Sequence, residues 1–145
     1  MEHIWINISE ELPSISDVHS FLYASQGGGV CVFSGITRLQ TNGRVTEKLS
    51  YESHKTMALK EMRRLADVAT ERWPVLRIAM LHRTGTVQVG EPSVLIGVAT
   101  AHRGPAFEAT QFLIDELKKS VQIWKKESFL NGEEEWVSTI WQDTD

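Results

Sequence analysis

A single cysteine, Cys31, stands in 145 residues, so the chain can build neither an internal disulfide framework nor a cluster of thiolate metal ligands. Prolines number four, and there is no Pro/Ser-rich linker, internal repeat or low-complexity tract. No apolar run approaches the roughly 20 residues of a membrane span, and no basic-then-apolar leader opens the chain. The expectation is therefore a cytoplasmic protein with no membrane contact. Basic residues are also in deficit, 15 against 19 acidic, for a net charge of −4. General nucleic-acid binders gain affinity by displacing phosphate counterions with a basic surface, which argues against a nucleic acid as partner. A local cationic pocket in an acidic protein suits a small anion better. The five histidines, at 3, 19, 54, 82 and 102, show no ligand spacing, so no metal site is expected.

What is present is the composition of one globular domain over residues 1–145, with 41% hydrophobic and 23% charged residues. "HIWINIS" alternates Ile4, Ile6 and Ile8 and reads as a strand. "SISDVHSFLYAS" reads as a short helix capped by Ser16 or Asp17, with Val18, Phe21 and Leu22 inward. "GGGVCVFSG" is a strand with a glycine entry. "TRLQTNGRVTE" is polar, carries the turn pair Asn42-Gly43 and reads as a mobile loop before the strand "KLSYE". Ala58, Met62, Leu65, Ala69 and Trp73 mark one face of a helix stopped by Pro74. "RIAMLHRTG" and "SVLIGVATA" are strands, and a further helix opens near Pro105 with Phe107, Thr110, Ile114, Leu117 and Val121 at helical spacing. "WVSTIW" reads as a last strand. Neighbouring strands joined without helices indicate an α+β fold rather than a doubly wound parallel sheet.

Two stretches invite chemistry. In "VATAHRGPAFEA" a strand runs into a helix start, and His102 and Arg103 lie just ahead of the unpaired N–H groups there. That is the form of a phosphate or carboxylate seat; a solvated loop arginine and a packed turn histidine fit the same spacing. In "ELKKSVQIWKKE" a continuing helix would put Lys118 and Lys125 seven residues apart on one face, and likewise Lys119 and Lys126. Cations near a helix C-terminus are favoured by its dipole whatever their function. A working lysine would need neighbouring cations and partial desolvation to free its amine. Cys31 sits in an apolar strand without an activating group and reads as packing.

Taken together, "GGGVCVFSGITR", "LSYESHKTMALKEMRRLADVATERWP", "IAMLHRTGTVQVGEPSVLIGVATAHRGPAFEATQFLIDELK" and "IWKKESFLNGEEEWV" resemble the catalytic (large) subunit family of molybdopterin synthase, in order from about Gly28 to Val137. The resemblance implies an α/β-hammerhead-type single domain with a mixed or antiparallel sheet and flanking helices. It also implies a homodimer that binds a small ubiquitin-like sulfur-carrier subunit, making a 2:2 heterotetramer. The carrier's C-terminal Gly-Gly thiocarboxylate would supply sulfur to cyclic pyranopterin monophosphate (precursor Z), forming the dithiolene of molybdopterin. No cofactor of the chain's own is implied. By motif, Lys118 and Lys125 match the family's active-site lysines, in roles the resemblance does not divide between them. Arg38, His102, Arg103, Lys126 and Glu127 match its substrate-binding positions. Leu39 and Gln122 depart from the usual pattern; with no proline at 122 the helix is expected to run on, turning Lys125 relative to Lys118. A non-catalytic docking module of the same fold is the alternative.

Overall fold

The computed structural model describes residues 3–138. In chain order the elements are β1 (Ile4–Ser9), α1 (Ile15–Tyr23), β2 (Gly29–Ile36), β3 (Gln40–Thr41), β4 (Arg44–Ser53), α2 (Lys55–Arg72), β5 (Val75–Arg83), β6 (Gly85–Gln88), β7 (Pro92–Thr100), α3 (Arg103–Ser120), β8 (Ile123–Phe129) and β9 (Glu134–Ser138). The last strand expected over 136–141 thus begins earlier, and positions 139–141 lie outside the described residues.

Two sheets form. The first has the order β1-β5-β7-β2, with β1 parallel to β5 and the remaining pairs antiparallel. The second is antiparallel: β4 is flanked by β8 on one edge, by β3 and β6 on the other, and β9 continues beyond β8. This is the expected mixed α+β arrangement. Period-two alternation sorts the first sheet's side chains onto two faces. Ile78, Met80, Val94, Ile96 and Val98 face the larger core with α2, α3 and Leu49, Val87 and Ile123 of the second sheet. Ala79, Leu81, Leu95 and Ala99 face a smaller core under Val18 and Leu22 of α1. Gly97 permits that second contact, because a Cβ there would lie 2.5 Å from Leu22 Cδ1.

Each helix obeys local rules, with shifts from the expected ends. Ser14, not Ser16 or Asp17, caps α1: its hydroxyl accepts from the Asp17 amide at 3.0 Å. His54 caps α2 by accepting from the Met57 amide on Nδ1 at 3.3 Å. Helix α3 opens at Arg103, leaving Pro105 in the first turn, where its missing N–H has no intrahelical partner to lose. Phe107, expected on the apolar face, is 60% exposed; Ala106, Ala109, Leu113 and Ile114 occupy the core instead.

Two larger corrections concern the segments that build the site. Thr37–Glu47 is not a loop throughout. Asn42 (φ 52°) and Gly43 (φ 79°) make a two-residue hairpin turn between β3 and β4, the geometry that Asn-Gly favours. Arg44 anchors this hairpin, 3.0 Å from Glu133, 2.8 Å from Glu135 and 3.9 Å above the Phe129 ring. Nor does α3 continue to Lys125. It ends at Ser120; Val121 is extended and its amide returns to the Leu117 carbonyl at 3.1 Å. From Ile123 the chain pairs with β4, burying Ile123 and Phe129. That ladder and burial end the helix without a proline at position 122.

Candidate active site

A cavity of about 610 Å³ lies where the end of β2, the inner faces of β4 and β8, and the last turns of α3 meet. Its volume is within the range of small-ligand sites. Register determines what β8 offers it. Lys125 is opposite Tyr51 and Glu127 opposite Leu49, so these alternate residues share the inner face. Lys126, opposite Ser50, must point the other way. Its ammonium is 3.0 Å from Glu134 and 5.6 Å from the Trp136 ring centre, and it does not line the cavity.

Helix α3 contributes Lys118 from its last turn and Lys119 beside it, the latter ion-paired to Glu116 at 3.5 Å. The loop after β2 contributes Arg38. Arg38, Lys118 and Lys125 therefore come together from a loop, a helix and a strand. Glu127, only 5% exposed, lines the same wall, and its carboxylate accepts from the Thr46 hydroxyl at 2.6 Å. That hydrogen bond compensates the desolvation of a buried carboxylate. The result is a rim of cations, with the carboxylates of Asp115 and Glu127 also lining the cavity and Leu49, Val94 and Ile114 supplying apolar wall.

His102 and Arg103 do not join this group. Both are exposed at the opposite end of α3, and the 15 residues from Arg103 to Lys118 amount to about 22 Å of helix at 1.5 Å per residue. Within one chain the expected convergence of all the cations does not occur.

Sequence reasoning missed the polar inner wall. Thr37, Tyr51, His82 and Ser93 line it, and Tyr51 donates to Ser93 Oγ at 3.2 Å while standing edge-on to His82, ring centres 5.0 Å apart. Burial depresses the His82 pKa from 6.5 to about 4, partly offset by its hydrogen bond to the Arg83 carbonyl. The signal was available in "RIAMLHR": alternation puts His82 on the same buried face as Ile78 and Met80, and a polar residue at a core position marks a special environment.

The chain is similar to known proteins over most of its length. A family model described as MoaE protein matches residues 8–120. The molybdopterin synthase catalytic subunit of Arabidopsis thaliana is 41% identical over 140 residues, covering 95% of this chain and 68% of that one. The protein of the same name from Pyrococcus abyssi is 39% identical over 120 residues, covering 83% and 81%. Among solved structures, molybdopterin synthase from Staphylococcus aureus superimposes with a TM-score of 0.83 at 34% identity, covering 94% of this chain and 98% of that chain.

Proposed function

This chain belongs to the MoaE protein family, and from that premise we propose that it is the catalytic subunit of a molybdopterin synthase, a sulfurtransferase of molybdenum-cofactor biosynthesis. The observation that carries this reading is the convergence of Arg38, Lys118 and Lys125 on one ligand-sized cavity. Its substrate is cyclic pyranopterin monophosphate (precursor Z). The sulfur arrives as the C-terminal Gly-Gly thiocarboxylate of a small ubiquitin-like carrier, so Cys31, half-buried in β2, has no part in the chemistry.

Both reactants are anions, and bringing two anions together is the electrostatic problem the rim addresses. Arg38 and the two lysines offset their mutual repulsion and hold the thiocarboxylate sulfur against the pterin side chain, where positioning itself lowers the barrier. Lys118 assists at the pterin carbon that accepts sulfur, giving a proton to the oxygen that this carbon releases as its C–S bond forms. Lys125 steadies charge on the acyl oxygen as its C–S bond breaks and water restores an ordinary carboxylate on the carrier. Glu127, held by Thr46, sits two residues along the same strand face from Lys125.

The placement of His102 and Arg103 supports an oligomeric site. About 22 Å of helix separates Arg103 from Lys118, so these two serve a cavity only on a second copy of the chain. We therefore read the assembly as a homodimer carrying two carriers, a 2:2 heterotetramer in the cytoplasm, with the partner copy's cationic helix start completing each rim.

The deciding experiment mixes purified protein with precursor Z and thiocarboxylated carrier and follows molybdopterin as its fluorescent oxidation product. Formation that requires the thiocarboxylate is the expected result. Binding of both reactants without formation would make the chain a docking module instead.

A further inference from the structure

Two buried groups that line the cavity, His82 and Thr37, have no part in the sulfur transfer just described. His82 is 3% exposed on the inner wall, and its Nδ1 lies 2.7 Å from the Arg83 carbonyl oxygen. A carbonyl oxygen only accepts, so Nδ1 carries the proton, and in the neutral ring Nε2 is left as an acceptor. Burial holds that ring neutral, with its pKa near 4. Tyr51 fixes the ring's orientation edge-on, and its own hydroxyl is committed to Ser93, which in turn donates to the Gly35 carbonyl at 3.4 Å. Two residues beyond Gly35, Thr37 is 4% exposed and lines the same cavity. Its Oγ1 is a buried oxygen with no hydrogen-bond partner among the described residues. An unmet buried hydroxyl is costly, and a valine of the same shape would avoid that cost.

We propose that His82 Nε2 and Thr37 Oγ1 form an uncharged subsite that binds the N–H edge of a fused heterocycle, seating the pterin ring of the substrate while the cationic rim holds its phosphate. This rests on the synthase reading for the identity of the ligand. The chemistry of the wall selects the class. An anion finds no proton at Nε2, and around an ammonium ligand the cations Arg38, Lys118, Lys119 and Lys125 outnumber the carboxylates of Asp115 and Glu127. A neutral N–H donor satisfies Nε2, and Thr37 can donate or accept beside it. The apolar side chains of Leu49, Val94 and Ile114 accommodate a flat ring between the two. His82 and Thr37 are thus binding residues that set where the pterin side chain meets the arriving sulfur.

Two variants test this: His82→Phe, which keeps an aromatic ring against Tyr51 and removes the acceptor, and Thr37→Val, which keeps shape and removes the hydroxyl. Each is assayed for KM and kcat with precursor Z at saturating thiocarboxylated carrier, and for direct binding of a free pterin by fluorescence. Glycerol phosphate, which lacks the ring, serves as a probe of the rim. The expected result is a rise of about tenfold in KM and in the pterin Kd for each variant, the worth of one neutral hydrogen bond. Glycerol phosphate binding should be unchanged, because neither variant removes a cation of the rim. Unchanged pterin binding in a folded Thr37→Val protein overturns the subsite, as does equal weakening of glycerol phosphate. A wild-type chain that forms no molybdopterin, yet binds pterin in a His82-dependent way, overturns the synthase reading and leaves the subsite standing.

Discussion

Thr46 Oγ1 donates to Glu127 Oε2 at 2.6 Å, joining β4 to β8 behind the residue that presents Lys125. Both partners are buried, so the bond is made where no bulk water can replace it. Thr46→Val should therefore destabilise the fold by about 1–3 kcal/mol, the cost of an unmet buried acceptor, whereas Thr46→Ser should restore most of it. Urea denaturation at neutral pH measures this. A valine variant as stable as the wild type would show that Glu127 does not depend on the hydroxyl.

The strand alternation of β8 separates two adjacent lysines by function. Lys125 faces the cavity beside Tyr51, while Lys126 faces Glu134 and Trp136 on the other side. Lys118→Ala and Lys125→Ala should each lower kcat by roughly 100-fold or more, as loss of a charge-stabilising donor does. Lys126→Ala removes only a surface pairing and should change kcat/KM by no more than about threefold. Carrier binding, followed separately by calorimetry, should survive Lys118→Ala. Equal losses in all three variants would contradict the division read from the register.

These lysines also show how far the sequence could be read. Their co-location was anticipated on the premise of one helix with a seven-residue spacing. The cavity instead receives Lys118 from α3 and Lys125 from a strand, because the chain turns at Val121 and gains a ladder with β4. Helical periodicity is local, and it located the core face of α2 well: Ala58, Met62, Leu65 and Ala69 are all buried. Strand β3 folds back on β4 through the adjacent Asn42-Gly43 turn, whereas the short strand β6 exists only through pairing with β4, a contact that no local window contains. For the same reason Arg44 looked like a loop charge, although Glu133 and Glu135 approach it from 89 and 91 residues away. His54, in the sequence only one of five histidines without ligand spacing, is a helix cap.

His82 gives the fold a defined acid sensitivity. Its pKa falls from 6.5 to about 4 on burial, so between these values the unfolded chain binds a proton that the folded chain refuses. The contribution is fully present above pH 6.5 and is lost as pH falls from 6.5 toward 4, up to roughly 3 kcal/mol at 1.36 kcal/mol per unit. His82→Phe cannot titrate and should lose less stability over that window. Urea midpoints at pH 7, 5.5 and 4.5 compare the two proteins. Parallel decline would place the sensitivity in other groups, among them Glu61, whose pKa is lowered by its hydrogen bond to Arg64.

Helix α3 makes its own prediction about assembly. Arg103 begins it and Lys118 lies in its last turn, so a single chain cannot bring both to one ligand. If each rim is completed by the second copy, Arg103→Ala and Lys118→Ala are defects in different halves of a composite site. Each homodimer alone should be nearly inactive. When the two are mixed and allowed to exchange subunits, a mixed dimer holds one site with both defects and one with neither. Random exchange then restores activity to about a quarter of wild type, since half the dimers are mixed and each has one intact site. Molybdopterin formation over the course of exchange records this recovery. No recovery, with exchange verified by mass-tagged subunits, would mean that Arg103 acts on its own chain or only stabilises the helix start, and that each cavity works with the cations of one copy.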